Sequence, residues 1–419
     1  LNLNSSVVVY IYIQMSETNK SVSTMEDLKV FESFDAMGLK EHVARGINSY
    51  GFENPSKIQR IAIKPMMDGC DIIAQSQSGT GKTGTFTIGS LHHVDAASPH
   101  VQVLVISPTR ELAQQTEKVA RGIGQYMETS ATSKGLKTAS FCGGTPVHVD
   151  QKALRQGVQF VAGTPGRIYD LITRKDGPMR LDHLKYLILD EADQLLEELF
   201  AEQIRAILAT GKFPESTHLA MFSATMPSEV LELADRFLKK DHVKILVPAE
   251  EVRLKGINQY FVDCERDEWK FDVLADLYKH MSVNQAIIFA NKIPTVEKLT
   301  KRMLDAGYTL ECIHGDMEAA ERKKRLQDFR DGTSRILVAT DVLARGVDVQ
   351  QVSLVINYEM PNSRENYFHR IGRSGRYGRK GVSINLIGSA DELALQKDIE
   401  KSYSLSIPHL PGDLAGVDM

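Results

Sequence analysis

The chain is poor in the features that would mark a secreted, membrane-bound or highly basic protein. Its 419 residues include four cysteines, Cys70, Cys142, Cys264 and Cys312, which are far apart and form no C-x-x-C pair. That spacing suggests neither a disulfide framework nor a thiolate zinc site, and it fits a reducing, intracellular compartment, nucleus or cytoplasm. The conspicuous apolar run, Val7 to Ile13, is far shorter than the roughly 20 residues that span a bilayer. No basic residue precedes it, which argues against a secretory signal. A bulk charge excess is also missing. Fifty Lys and Arg against 54 Asp and Glu leave a formal net charge of −4. Any nucleic-acid site must therefore come from local placement of donors rather than from general attraction. There is no interleaved aromatic array either, so base stacking is not the expected mode of nucleic-acid contact.

What remains is ordinary globular composition, 42% apolar and 25% charged, in a chain long enough for two or three domains. Short apolar strands alternate with helical patterns in two stretches. The first includes Ile72–Ala74, Val103–Ile106, Phe160–Ala162, Tyr186–Leu189 and Leu219–Phe222. The second includes Ala286–Phe289, Thr309–Ile313, Arg335–Ala339, Leu354–Tyr358 and Val382–Leu386. This alternation predicts βαβ units and two α/β domains, each a parallel sheet with helices on both faces. The expected boundaries are a flexible N-terminal extension at 1–30, a first domain at 31–247, a linker at 248–255 and a second domain at 256–419. The chain begins with Leu1. Residues 1–14 read as translated upstream sequence with Met15 as initiator, or as a short disordered or edge-strand extension.

Two motifs carry the chemistry of the first domain. Ser78-Gly79-Thr80-Gly81-Lys82-Thr83 follows the strand at Ile72 and opens a helical pattern. Glycines let backbone N–H groups approach phosphates, and a helix N-terminus favours the anion. Lys82 would reach the β- and γ-phosphates, and Thr83 would ligate Mg²⁺. The strict pattern has glycine where this chain has Ser76. Asp190-Glu191-Ala192-Asp193 follows the apolar strand Tyr186–Leu189, at the sheet edge where open α/β folds bind ligands. Asp190 fits the metal-holding acid and Glu191 the general base that polarises water. An acidic helix cap is the plainer alternative. Together the motifs indicate hydrolysis of a nucleoside triphosphate.

The second domain has no phosphate loop. It carries His369-Arg370-Ile371-Gly372-Arg373-Ser374-Gly375-Arg376, whose arginine forks suit phosphate and transition-state charge. Several strand-end turns offer a hydroxyl, an arginine or open backbone for sugar-phosphate contact: Arg110, Gly144, Thr164 and Arg167, then Thr340, with Arg330 on a basic helix. Ser223-Ala224-Thr225, at another strand end, could hydrogen-bond neighbouring carboxylates.

In this order the motifs resemble those of the DEAD-box RNA helicases of superfamily 2, and within them the translation initiation factor 4A group, over roughly residues 31–414. The resemblance implies two tandem RecA-like domains and the cofactors ATP and Mg²⁺. It implies that Gln59 reads adenine with Phe34 stacked on it, and that Asp341 and Gly346 meet the nucleotide from the second domain. Arg373 and Arg376 become arginine fingers, and His369 a bridge to the acidic motif. Ser223 and Thr225 would couple hydrolysis to strand opening, and Arg110, Gly144, Thr164, Arg167, Arg330 and Thr340 would line the RNA path. Ala290-Asn291-Lys292, Tyr367-Phe368 and the lack of Gly-Phe after the acidic motif depart from the common pattern. Phe34 to Leu39, Ala74 to Gln77 and Arg376-Tyr377-Gly378 look closer to the nuclear paralogue of the exon junction complex. The reading is therefore a monomeric ATP-dependent helicase acting on single-stranded or short duplex RNA without sequence preference, with protein scaffold partners and no membrane. It belongs to translation initiation or nuclear mRNA processing. A partner-regulated RNA clamp is the alternative.

Overall fold

The computed structural model describes residues 10–13, 29–76, 79–130, 133–175, 177–246, 256–281, 284–344, 352–375, 380–403 and 405–412. Ser78, Gly346, Arg376 and the expected linker lie outside these. The chain divides into two compact units, Leu1–Pro248 and Ala249–Met419.

The described residues of the first unit form ten strands: β1 (Tyr10–Ile13), β2 (Ile72–Gln75), β3 (Val103–Ile106), β4 (Glu128–Ser130), β5 (Ser133–Lys134), β6 (Thr138–Phe141), β7 (Phe160–Gly163), β8 (Tyr186–Asp190), β9 (His218–Ser223) and β10 (Val243–Leu246). Eight of them form one sheet in the order β1-β10-β2-β9-β8-β3-β7-β6, and β4 and β5 make a small separate ribbon. Every pairing from β10 to β6 is parallel, and β1 adds antiparallel to β10 with Tyr10 opposite Leu246. Within the extension expected at 1–30, residues rich in β-formers thus take the edge-strand option.

The buried strands are apolar on both faces because both faces are covered. Alternate residues feed two separate cores. Ile72, Val103, Val105, Ile188 and Phe222 pack into one, and Ile73, Leu104, Ile106, Leu189 and Met221 into the other. Each such side chain, taken fully from water, contributes roughly 1.5–3 kcal/mol. The covering helices are amphipathic. Arg110–Ile123 buries Leu112, Ala113, Thr116, Val119, Ala120 and Ile123, and begins where the Thr109 hydroxyl accepts the Leu112 N–H at 3.3 Å.

The second unit contains β11 (Ile257–Asp263), β12 (Ala286–Phe289), β13 (Leu310–Ile313), β14 (Ile336–Ala339), β15 (Leu354–Asn357) and β16 (Gly381–Ile387). They form one parallel sheet in the order β11-β16-β15-β12-β14-β13. Ile288, Val338 and Ile356 face one core, and Ile287, Leu337 and Val355 the other. Both units are the α/β class expected from the sequence. Among the described residues no helix is long and apolar enough to cross a membrane.

Candidate active site and nucleic-acid path

The strand order divides the carboxyl edge of the first sheet in two. The ends of β2, β9 and β8 are neighbours, and so are those of β3, β7 and β6. The first group gathers the phosphate loop, Ser223-Ala224-Thr225 and the acidic motif. The second gathers the turns expected to meet RNA.

The phosphate loop leaves β2 and enters the helix Lys82–Leu91. Gly79 (φ +79°) and Gly81 (φ +102°) take the left-handed backbone that only glycine adopts without strain. The loop is braced by a hydrogen bond between the Ser76 and Thr80 hydroxyls. The Ser76 N–H donates to the Ser223 carbonyl at 2.9 Å, tying the loop to β9. Ser76, the departure from the strict pattern, therefore has a role that glycine could not fill with a side chain.

Gln59 is buried against this loop. Its Oε1 accepts the Ser56 N–H at 2.8 Å, and its Nε2 donates to the Gly81 carbonyl at 3.4 Å. A methyl group at Gly81 would lie 2.9 Å from that Nε2, and one at Gly84 2.7 Å from it. Phe34 is 5% exposed and lies parallel to Phe52, with ring centroids 6.4 Å apart.

The acidic motif begins at the last residue of β8. Asp190 is 2% exposed. Its Oδ1 accepts the Glu191 N–H at 3.1 Å, whereas Oδ2 is buried with no hydrogen-bond partner among the described residues. Burial, and then the neighbouring Glu191 charge, push its carboxyl up to about 7. A buried, unpartnered carboxylate oxygen beside a phosphate loop is the kind of ligand a hard cation takes, so the donor set of Asp190 and Thr83 fits Mg²⁺. Glu191 has φ +50° and ψ +57°, a conformation costing a non-glycine residue about 1–3 kcal/mol. The Lys82 ammonium donates to Glu191 Oε2 at 3.0 Å, with both side chains almost fully buried. Such a pair compensates two desolvated charges and leaves one exposed to the full penalty if the other is removed. Asp193 closes the group. Its Oδ2 accepts the Thr225 hydroxyl at 2.6 Å, and its N–H donates to Ser223 Oγ at 3.3 Å. Thr225 thus bonds a neighbouring carboxylate, as expected, whereas Ser223 takes the backbone N–H of the same residue.

In the second half of that edge, Gly144 has φ +85° and lies under the Arg110 guanidinium, where an added methyl would come within 2.6 Å of Nη1. Thr164 begins the helix Pro165–Thr173, and its N–H donates to the Phe141 carbonyl at 3.1 Å. Arg167, from the first turn of that helix, is held by the Asp150 carboxylate and donates to the Thr145 carbonyl at 2.6 Å. Arg110, Gly144, Thr164 and Arg167 are therefore close neighbours, though Arg167 faces the protein.

In the second unit the expected residues group around Arg370, which the sequence offered only as one of three arginine forks suited to phosphate and which instead turns inward. Arg370 is fully buried. Its Nε and Nη2 both donate to the Asp341 carboxylate, the latter at 3.0 Å. Its Nη1 donates to the Glu359 carbonyl at 2.8 Å, and Nη2 also reaches Asn291 Oδ1 at 2.6 Å. Asp341, expected to meet nucleotide, has its carboxylate engaged by this fork. His369 and Arg373 are buried too, with Arg373 Nε donating to the His369 carbonyl at 3.2 Å. Thr340 is half-buried and its N–H donates to the Ile313 carbonyl. Arg330 is exposed at the end of the helix Ala319–Arg330. The basic helix is not an open cationic face: Arg322 is buried, and Arg325 pairs with Glu321 and Glu311. Nothing in a run of arginines tells which will be buried; that follows from the carbonyls and carboxylates at the ends of β12, β14 and β15.

Comparison with known proteins agrees with this geometry. Residues 56–233 match the family model of the DEAD/DEAH box helicase, and residues 269–378 that of the helicase conserved C-terminal domain. The chain is 48% identical over 388 residues to the ATP-dependent RNA helicase eIF4A of Aspergillus fumigatus, covering 93% of this chain and 92% of that one. It is 48% identical over 387 residues to eukaryotic initiation factor 4A of Caenorhabditis elegans, covering 92% and 93%. The S. cerevisiae Dbp5 structure bound to RNA and ADP BeF3 superposes with a TM-score of 0.83 at 32% identity, covering 93% of this chain and 98% of that one. The chain belongs to the DEAD-box family of ATP-dependent RNA helicases.

Proposed function

We propose that this helicase acts in translation initiation, and that its ATP site is built on the buried Lys82–Glu191 pair beside the unpartnered oxygen of Asp190. That cluster carries the reading. Without nucleotide, the phosphate-binding cation and the general base neutralise each other. An arriving triphosphate draws Lys82 to its β- and γ-oxygens. Glu191 then accepts a proton from water as that water attacks the γ-phosphorus and the bond to the ADP oxygen breaks. Thr83 and Asp190 would hold Mg²⁺, which when bound neutralises phosphate charge. Gln59 and Phe34 form the adenine side, with Ser78 and Gly346 completing the nucleotide contacts.

Arg373 and Arg376 of the second unit stabilise the charge of the transition state, with Asp341 and His369 beside them, when RNA and ATP draw the two units together. Ser223 and Thr225 pass the state of the acidic motif to β9. Arg110, Gly144, Thr164, Arg330 and Thr340 follow the RNA backbone, with Arg167 at the same strand ends, so sequence preference is absent and short duplexes open by bending one strand. The relatives named as initiation factor 4A favour translation over an exon-junction-type clamp. A monomer working with an initiation-factor scaffold in the cytoplasm completes the reading.

Glu191→Gln tests it. The variant retains ATP affinity and loses turnover by about 10²–10⁴-fold, the usual contribution of a general base. Near-normal turnover in a steady-state phosphate-release assay would remove Glu191 from that role.

A further inference from the structure

Arg167 and Asp150 stand apart from the other groups of the RNA path. The Arg167 side chain is 9% exposed and that of Asp150 4%. One guanidinium nitrogen is bound to the Asp150 carboxylate and a second donates to the Thr145 carbonyl. That carbonyl belongs to the turn Gly143–Thr145, whose left-handed Gly144 lies under the Arg110 guanidinium. Asp150 is itself in the first turn of the helix Val147–Arg155, directly after the turn. Burial raises its carboxyl, and Arg167 pulls it back. The chain Asp150–Arg167–Thr145 therefore fixes the backbone against which Arg110 lies.

We propose that Asp150 is a positioning residue for RNA binding, and that Arg167 acts through the Gly143–Thr145 turn rather than by touching phosphate, with Arg110 making the phosphate contact. The inference rests on the reading that these strand ends carry RNA. The carboxylate and the carbonyl take one N–H from each terminal nitrogen of the guanidinium, and the side chain is 9% exposed, so the fork is directed at the turn rather than outward. The fork, not the charge, is what the turn requires, so lysine at 167 does not replace it.

The two roles differ in their response to salt. Each lost phosphate contact to a single strand lowers the slope of log affinity against log salt by about 0.7. A displaced turn weakens binding without changing the number of phosphates neutralised. The experiment is fluorescence anisotropy of labelled single-stranded polyuridine on the full chain with AMP-PNP, from 50 to 300 mM KCl on the order of a sixfold range. Circular dichroism verifies that each variant is folded. Arg110→Ala is expected to reduce the slope by about 0.7. Asp150→Asn and Arg167→Lys are expected to weaken binding about tenfold, the loss of one charge-assisted hydrogen bond, with the slope unchanged. Asp150→Glu, which can still reach Arg167, restores most of the affinity.

A slope reduced by Arg167→Gln as much as by Arg110→Ala would overturn the proposal, because Arg167 would then be a phosphate contact. So would wild-type affinity in Asp150→Asn and Arg167→Lys while Arg110→Ala behaves as expected. Unchanged affinity and slope in Arg110→Ala would instead reject the RNA path itself.

Discussion

Single residues in this protein divide into those that present a group and those that hold one in place. Glu191 presents a carboxylate from a strained left-handed backbone, with Lys82 as its present partner. Arg370 holds: its fork spends two nitrogens on Asp341 and reaches Asn291 and the Glu359 carbonyl as well. Arg370→Ala leaves Asp341 without its cation in a mostly buried setting. Urea unfolding of the second unit should show a loss of about 3–5 kcal/mol, and an unchanged midpoint would mean that water replaces the fork. The presenting groups were legible in the sequence. Lys82, Asp190 and Glu191 sit in short runs whose spacing to a strand is itself the signal. The holding groups were not. Arg370 is one arginine among three in its run, and Asp150 is one acid on a surface-like helix pattern. Only distances across the fold show that the first is fully buried and that the second meets Arg167.

At the scale of elements, the fold is held by strands that need no polar contact and by joints that do. The central strands β2, β3, β7, β8 and β9 were readable as uninterrupted apolar runs because both of their faces are covered. The strands to which the sequence reading gave no range were β4, β5, β6, β10 and β11. Those at sheet edges, such as Thr138–Phe141 and Ile257–Asp263, mix polar residues among apolar ones, as an edge facing water permits.

Asp71 is one of the joints. Just before β2, its carboxylate accepts the Leu219 N–H at 3.1 Å and the Lys239 N–H at 2.9 Å, with the His218 ring at 3.6 Å. Burial alone would raise this carboxyl, but His218 and the two backbone donors hold it below the ordinary 3.8. A depressed carboxyl stabilises the fold above its unfolded-state titration and loses that contribution as pH falls through the lower folded-state value. Asp71→Asn should therefore cost stability at pH 7, and the difference from the parent should shrink as the pH is taken below 3.8. Denaturant titrations across that range check it, and a cost independent of pH would assign the loss to packing. Thr109, which caps Arg110–Ile123, is a smaller joint. Thr109→Ala should lower stability by about 1 kcal/mol in the same assay.

The whole molecule is two α/β units with unequal equipment. The phosphate loop and the acidic motif are on the first, and the arginine run of His369–Arg376 is on the second. The sequence conveyed this asymmetry, since one loop pattern occurs and no second one follows. It also conveyed the class of both sheets, although the order of strands, which brings β9 between β2 and β8, had to be seen. That order is what lets Ser76 bond Ser223, and Ser223 bond Asp193, in one line across the edge. If Arg373 and Arg376 supply the transition-state charge, as proposed, turnover should be slow until RNA engages both units.

The most direct test is steady-state ATP hydrolysis by the full chain at saturating Mg²⁺ and ATP, with and without single-stranded polyuridine. The account predicts a rate many times higher with RNA, and loss of that stimulation in Arg373→Ala. An equal rate in the presence and absence of RNA would contradict it.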